Sequence, residues 1–371
     1  MKTLVVVISA RASYSRIRSV VTELSTGVCI QIRVVLIASA AMNKYGRVEE
    51  FLNSQEIEVD WKIESQLDAE NMSSMAKTTG LAILGLSDYL LNLKPQGLLV
   101  IGDRHETLAA SICGSYLGIK TFHIQGGERT GNIDDRVRFA NTFLSDFHLV
   151  SNASAKKNLE LCGINTNSIV ITGCPSLDFI DSALEADLPP EIISGVGKEL
   201  MEVIDGEFLI VLQHSETTSN LAPKNQVLPT LRVINDLEIP TIWIWPNSDF
   251  GGEEIIREIR RMREAGSLNH VHFEKSLEPE LFIKLLSKAS CVVGNSSVGI
   301  RECSYLGIPS VNIGTRQNYR DTAENVLHVD FDYDQIMEGI KMRKNHRYER
   351  STLYGDGKSA ILIRKFLENS L

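Results

Sequence analysis

Short apolar runs, each followed by a longer amphipathic stretch, recur along nearly the whole chain, and the series occurs twice. Strand-like runs fall at residues 4–8, 32–37, 97–101, 121–124, 148–150 and 168–172, with helical patterns at 14–24, 75–93 and 106–117 between them. A second set lies at 208–212, 241–245, 270–273, 289–293 and 310–313, with helical patterns at 222–237, 253–264, 279–288 and 299–306. Uninterrupted apolar strands joined by helical crossovers are the signature of a parallel sheet covered on both faces. The fold class expected is therefore α/β, with two Rossmann-like domains facing each other across a cleft. The pattern breaks near 187–204, where Leu188, Pro189 and Pro190 interrupt it. We place an N-terminal domain at 1–187 and a C-terminal domain at 188–371, with the last helix expected to pack back on the first. A length of 371 residues suits this division, since domains usually hold roughly 150 residues.

Charge and cysteine usage narrow the partners. Lys plus Arg number 38 against 47 acidic residues, a net charge of −9, which argues against nucleic acid or an anionic membrane as the main partner. A local pocket of arginines can still oppose the overall sign for a small anion. The six cysteines show no CxxC pair and no metal-like spacing with histidine, so they read as buried thiols in a reducing compartment. Residues 4–8 are too short for a signal-peptide core, and no stretch reaches bilayer-spanning length, so a cytoplasmic location is expected. The basic stretch 341–350, interrupted by Glu349, reads as a solvated surface segment.

Ligands of open parallel sheets bind beyond the carboxyl ends of the strands. Four loops at such ends are unusually polar. The run from Ser9 to Ser15 brings Arg11 and hydroxyls to a helix start without forming GxGxxG, so no dinucleotide is indicated; Ser13 capping the helix is the simpler reading. Asp103 and Arg104 follow a strand, either as proton handler and diphosphate partner or as a mutually satisfied ion pair. The segment from His123 to Glu128 holds adjacent glycines, and Asp134 and Asp135 come soon after. Glu128 and these two acids can supply a general base, or an aspartate can cap a helix over 136–144 while His123 sits satisfied in the core. In the second half, Gly294-Asn295-Ser296-Ser297 leads into Gly299, Arg301 and Glu302. Strand, tight turn and helix N-terminus form an anion site, and Glu302 on the first turn can accept ribose hydroxyls; Ser297 as an ordinary N-cap is the alternative. His214 and Arg316 also follow strands. Arginines and carboxylates at these ends point to a nucleoside-diphosphate-sugar enzyme.

Taken together these segments resemble the UDP-N-acetylglucosamine 2-epimerase family, and more closely its hydrolysing branch, which releases UDP and N-acetylmannosamine for sialic-acid-type sugars. The resemblance runs from Arg11-Ala12 and Tyr14-Ser15 through Gly102-Asp103-Arg104, His123 to Glu128 and Ile133-Asp134-Asp135. It continues through His214, Trp245-Pro246-Asn247, Asp249, the Gly294–Glu302 run, Gly314-Thr315-Arg316-Gln317, Glu324–Val329 and Tyr354-Gly355-Asp356-Gly357. It implies two Rossmann-like domains as in GT-B glycosyltransferases, no cofactor and no metal, a UDP-sugar substrate, and a homo-oligomer (dimer or tetramer). Carried across motif by motif, Arg11, Ser15, Arg104 and His214 would face the diphosphate and sugar. Asn247, Leu277, Ser296, Ser297, Glu302 and Arg316 would hold UDP. The catalytic group would comprise Asp103, Asp134, Gln125, Glu128 and His214. The first domain would then be the sugar and acid–base side and the second the UDP-binding side. The implied chemistry is elimination of UDP, giving a 2-acetamidoglucal, and then hydration to the 2-epimer.

This chain departs from the family's pattern at two positions. Gln125 stands where the family usually has an acid, and Phe139 where it commonly has a histidine. A glutamine hydrogen-bonds but exchanges no proton usefully. Either Asp103, Asp134 or Glu128 carries the protons unaided, or the sugar is a modified one, such as a 2,4-diacetamido-trideoxy sugar or another nucleotide's. A GT-B glycosyltransferase and a non-catalytic nucleotide-sugar binding protein are the competing readings.

Overall fold

Leu4, Val6 and Ile8 join one buried cluster while Val5 and Val7 join another, so the first strand is apolar throughout because each of its faces meets a separate core. In a computed structural model of the chain this strand, β1 (Lys2–Ile8), lies in the interior of a seven-stranded parallel sheet. The residues described are 1–45, 47–67, 72–131, 133–187, 206–216, 218–246, 251–275 and 277–371. The other strands of this sheet are β2 (Ile30–Ile37), β3 (Val59–Ile63), β4 (Gly97–Ile101), β5 (Lys120–Ile124), β6 (Phe147–Val150) and β7 (Ile169–Ile171), in the order β3-β2-β1-β4-β5-β6-β7. One face is covered by the helices Arg11–Ser25 and Ser359–Ser370, which send Ile17, Val20, Ile363 and Leu367 into the core. On the other lie Met72–Leu93 and Thr107–Tyr116, contributing Leu86, Leu90 and Ala110.

The second sheet has six parallel strands: β8 (Leu209–Leu212), β9 (Thr241–Ile244), β10 (Val271–Glu274), β11 (Cys291–Gly294), β12 (Ser310–Ile313) and β13 (Val326–Val329), in the order β10-β9-β8-β11-β12-β13. Leu209, Val211, Trp243 and Val293 pack here against Val227, Leu231, Ile255 and Ile340 from the flanking helices. Two parallel-sheet α/β domains of Rossmann-like topology are thus present, as the alternating pattern predicts.

Contacts divide the chain into two units, one formed by Met1–Arg129, Ile133–Phe179 and Tyr354–Leu371, the other built mainly on Ile180–Leu353. The terminal helix belongs to the first unit, where Asp178 accepts the backbone N–H groups of Ser359 and Ala360 at 2.9 and 2.7 Å. The second starts with the short helix Ile180–Glu185, whose Asp181 accepts two guanidinium hydrogen bonds from Arg350, at 2.7 and 3.0 Å. Most of the break expected near 187–204, with Leu188, Pro189 and Pro190, lies outside the described residues.

Three local expectations need correction. The strands β3 and β13 complete the two sheets although the apolar pattern did not mark them; β3 is an edge strand carrying Asp60, exposed Trp61 and Lys62. The helix Arg11–Ser25 begins at Arg11, with Ala10 at the cap position, so Ser13 is not its N-cap. The expected helix over 299–306 is a 3-10 turn at Ser297–Gly299 and then a helix of only five residues, Glu302–Leu306. No helix among the described residues is long and apolar enough to cross a membrane.

Candidate active site

In both sheets the chain runs outward from an interior strand, then returns to that strand's other side. The switch points are β1/β4 in the first unit and β8/β11 in the second. Loops diverge on either side of a switch point, leaving a crevice at the carboxyl ends of the strands. The motif loops leave these ends.

In the first unit, β1 ends on Ser9, whose hydroxyl lies 3.3 Å from the hydroxyls of both Ser13 and Thr107, while its carbonyl accepts the Ala40 N–H at 3.2 Å. Arg11 stands on the first helical turn with its guanidinium 5.6 Å from the centre of the Phe51 ring. Ser15 lies one turn on, donating to the Arg11 carbonyl at 3.1 Å. Asp103 and Arg104 do not pair with each other. Arg104 makes a bidentate ion pair with buried Glu106, at 2.9 and 3.1 Å, so the fork of its guanidinium is fixed from behind.

Asp103 pairs instead with Arg16 at 3.3 Å and, closely, with Arg138. Arg138 carries no motif that singles it out in the sequence, yet it is the hub of this end of the sheet. Its side chain is 1% exposed, and it donates to Asp103, to Asp135 at 2.5 Å and to the Glu128 carbonyl at 2.7 Å. Burial alone would lower its pKa; the carboxylates of Asp103, Glu128 and Asp135 outweigh that and hold it above the ordinary value. The signal available in the sequence was helical spacing. In the helix Ile133–Phe143 the buried residues are Arg138, Asn141 and Thr142, a polar face where an apolar one is the rule. The helix starts earlier than expected, which places both Asp134 and Asp135 in its first turn, where the helix dipole favours negative charge.

Glu128 is buried and accepts from the Ser151 hydroxyl at 2.7 Å. It follows Gly127, whose φ of +77° and 2.4 Å clearance between a would-be Cβ and the Ala155 carbonyl admit only glycine. Gln125, 1% exposed, donates to the Cys174 sulfur at 3.1 Å. Its φ of +62° lies in the left-handed region, a conformation that costs a non-glycine residue about 1–2 kcal/mol. His123 is a core histidine. The Gly102 carbonyl can only accept, so Nε2 donates to it at 2.8 Å, and Nδ1 is left to accept from Thr142 at 3.3 Å.

Burial pushes the pKa of His123 down to about 4, against the hydrogen bond to Gly102, and burial likewise holds His148 at about 4. In the unfolded chain both protonate near 6.5, so between those values the unfolded state binds more protons. Stability is therefore complete above pH 6.5 and is lost as the pH falls toward 4, by about 3 kcal/mol per histidine. Urea titrations across this range should show the loss, and His148→Leu should flatten the slope by about one proton; an unchanged slope contradicts a buried neutral His148.

In the second unit, His214 follows β8 and Asn295 follows β11, directly across the switch point. Asn295, fully buried, accepts the His214 N–H at 2.8 Å and donates to the His214 carbonyl at 2.9 Å, locking the two loops together. Its own carbonyl accepts from Arg316 at 3.3 Å and Gln317 at 2.9 Å. Gly294 makes the turn at φ +134°, where a Cβ would sit 2.2 Å from the Leu212 carbonyl oxygen. Ser296, not Ser297, caps the 3-10 turn, accepting the Val298 N–H at 3.4 Å. The helix behind it, Glu302–Leu306, is too short for the full dipole expected of an anion site, which leaves hydroxyls, the turn and Arg316 as candidate anion-binding groups. Glu302 is half-buried, and its Oε2 is buried with no hydrogen-bond partner among the described residues. Glu216, which no motif marks, is buried and accepts both the N–H and the hydroxyl of Thr315, fixing the loop that carries Arg316. Leu277 lies half-buried just before the helix Pro279–Lys288. Asn247 lies outside the described residues, as does Asp249. Among the described residues no group of three or more His, Cys, Asp or Glu side chains is placed to hold a metal ion.

Fold and loops define a two-domain α/β protein of the nucleotide-sugar type, with polar loops at the switch points of both sheets. The chain belongs to the UDP-N-acetylglucosamine 2-epimerase family, whose model matches residues 29–368. It is 29% identical over 364 residues, 97% of this chain and 94% of the relative, to a UDP-N,N'-diacetylbacillosamine 2-epimerase (hydrolyzing) of Legionella pneumophila. It is 28% identical over 373 residues, 99% of this chain and 94% of the relative, to a UDP-N-acetylglucosamine 2-epimerase of Neisseria meningitidis. Among solved structures, the fold matches the UDP-GlcNAc 2-epimerase of N. meningitidis bound to UDP-GlcNAc with a TM-score of 0.81 at 20% identity, over 100% of both chains. The Methanocaldococcus jannaschii UDP-GlcNAc 2-epimerase in complex with UDP-GlcNAc and UDP matches with a TM-score of 0.82 at 16% identity, again over 100% of both.

Proposed function

We propose that this chain is a hydrolysing nucleotide-sugar 2-epimerase that turns a UDP-2-acetamido sugar into UDP and the free 2-epimeric sugar. The observation that carries the reading is the carboxylate cluster held by Arg138. Asp103, Asp135 and the Glu128 carbonyl are locked by one buried guanidinium, and half-buried Asp134, on the same helical turn as Asp135, is the carboxylate assigned to proton transfer. The hydrogen at sugar C2 is not acidic, so its removal must accompany departure of the leaving group from C1. Asp134 takes the C2 proton as the C1–O bond breaks, and the electron pair leaves with UDP. Arg11 and Arg104 meet the charge that develops on the diphosphate, Arg104 without reorganising because Glu106 already orients it. Water then adds its oxygen to C1 of the glycal while a proton returns to C2 from the opposite face, giving the manno configuration.

On the nucleotide side, Ser296, Ser297 and Arg316 take phosphate oxygens, Glu302 the ribose hydroxyls, and Asn247, Leu277 and His214 the remaining contacts. The name of the Legionella relative, which carries the word hydrolyzing, supports UDP release over retention. Six free thiols fit a cytoplasmic enzyme. Gln125 favours a second reading on the substrate only. A glutamine tied to Cys174 supplies no proton, and the same chemistry then runs on a 2,4-diacetamido sugar such as the Legionella relative's name describes.

One incubation tests both readings. The protein is given UDP-N-acetylglucosamine, and in a parallel tube UDP-N,N'-diacetylbacillosamine, in deuterated water, and the products are followed by proton NMR. Free UDP with a 2-epimeric sugar deuterated at C2 is the expected result, and the faster tube names the substrate. Epimer still attached to UDP overturns the hydrolysing reading, and the absence of turnover in both tubes overturns the enzyme.

A further inference from the structure

Arg104 and Arg316 follow strands in different units, and the chain aims them by different means. Arg104 has the Glu106 carboxylate behind it. Arg316 makes no ion pair among the described residues, and its guanidinium gives one hydrogen bond, to the Asn295 carbonyl at 3.3 Å. One long contact leaves an arginine several rotamers, so its aim depends on where the backbone holds its Cα. That backbone has left regular structure. β12 ends on Ile313, Gly314 donates to the Val329 carbonyl at 2.8 Å, and two turns follow, closed by Asn318 on Thr315 and Arg320 on Gln317, both at 3.1 Å.

Glu216 holds this segment at the residue just before Arg316. One carboxylate oxygen accepts the Thr315 N–H at 3.0 Å and the other accepts the Thr315 hydroxyl closely. Gly314 admits the approach: its φ is +76°, and a Cβ there would sit 2.8 Å from Glu216 Oε2. A carboxylate has no proton to give, so both donors of Thr315 must turn toward it, and the backbone leading into Arg316 takes one orientation. The acid is itself built in. Glu216 is 4% exposed and is framed by Gln226, a fully buried side chain of the helix Pro223–Leu237. The Gln226 amide accepts the Glu216 N–H at 2.8 Å and donates to the Glu216 carbonyl at 3.0 Å, while the Gln226 backbone carbonyl accepts from Gln213 at 3.0 Å.

Glu216 makes no ion pair among the described residues either. Burying an acid without a cation is unfavourable, and loops can be tied by a neutral group, as Asn295 ties the loop of His214. What the charge adds is strength, since hydrogen bonds to an ionised acceptor are about twice as strong as neutral ones. Resting on the reading above, in which Arg316 takes a phosphate oxygen of UDP, we propose that Glu216 is a positioning residue for the nucleotide. It does not touch the ligand; it sets UDP affinity by holding Thr315 so that Arg316 is already aimed when the phosphate arrives.

Titration calorimetry with UDP on the full-length protein tests this, with urea denaturation run on every variant. Glu216→Ala should weaken UDP binding about tenfold. Glu216→Gln still accepts the N–H and can donate to the hydroxyl, so it should stay within about threefold of the wild type. Thr315→Val changes an exposed residue, reaches the same contact without opening a buried site, and should weaken binding about three- to fivefold. The deciding measurement repeats the alanine and valine substitutions in an Arg316→Ala background. A residue that acts through Arg316 has nothing left to position there, so each should then change UDP affinity by less than about twofold. Equal losses in the two backgrounds overturn the proposal, as does unchanged affinity in either single variant. If Glu216→Ala does not fold, Thr315→Val and its double with Arg316→Ala decide alone. A wild type that binds no UDP overturns instead the nucleotide assignment on which the proposal rests.

Discussion

Replacing Arg138 by methionine is expected to destabilise the first domain by about 3–5 kcal/mol and to abolish UDP release. Methionine fills much of the same volume, so the effect isolates charge rather than packing. Without the guanidinium, Asp103 loses its close buried partner and retains Arg16, at 3.3 Å on the more exposed side, while Asp135 and the Glu128 carbonyl each lose a donor. Asp103 is 8% exposed and Arg138 itself 1%, so water cannot replace the lost bonds without opening the site. Arg138→Lys restores charge but not the fork that reaches three acceptors, and should recover part of the stability and little of the activity. Urea denaturation followed by circular dichroism reads the first effect and a coupled UDP assay the second. A methionine variant within about 1 kcal/mol of the wild type would show that the cluster does not depend on its arginine.

The outline of this site is readable in the sequence because parallel topology does the gathering. Once apolar runs are recognised as parallel strands, every loop that leaves one must emerge on the same rim, so Arg11, Asp103, Gln125 and Glu128 had to lie at one end of their sheet. Pairing within that rim was not readable. Asp103 and Arg104 are adjacent and look like partners, but neighbouring residues at a strand end point in different directions. Each therefore finds its ion pair elsewhere, Arg104 with Glu106 and Asp103 with two arginines from different helices. Arg138 was hidden by residue type, since an arginine on a helix reads as surface unless its spacing with Asn141 and Thr142 is weighed. β3 escaped because an edge strand needs no apolar run; Asp60 and Lys62 instead pair with Arg33 and Glu49. In the second unit, the Gly-Asn-Ser-Ser run predicts a tight turn correctly but does not reveal how short the helix after it is. That helix is cut to five residues, ending at Gly307, which adopts the left-handed conformation at the cap.

Asp134→Asn separates the proton-transfer role from the structural one. Asp134 is half-buried on the first turn of Ile133–Phe143, whereas Asp135 beside it is committed to Arg138. The amide is nearly isosteric and removes the charge without emptying space, and the lost interaction with the helix N-terminus should cost about 0.3–1 kcal/mol of stability. UDP affinity, measured by calorimetry, should stay within about threefold, because no phosphate contact is assigned to this residue. The rate of UDP release should fall about 10²–10⁴-fold, the usual worth of a positioned general base, and C2 deuterium incorporation should fall with it. This combination is what distinguishes a proton acceptor from a residue that merely holds the site. Loss of a scaffold residue lowers stability and rate together, as for Arg138, while loss of a base lowers rate alone. If UDP release drops less than about tenfold, Asp134 is not the base. Its role then passes to Asp103, whose carboxylate Arg138 would have to release during turnover, or to Glu128, whose carboxylate accepts from Ser151 while the arginine holds only its carbonyl.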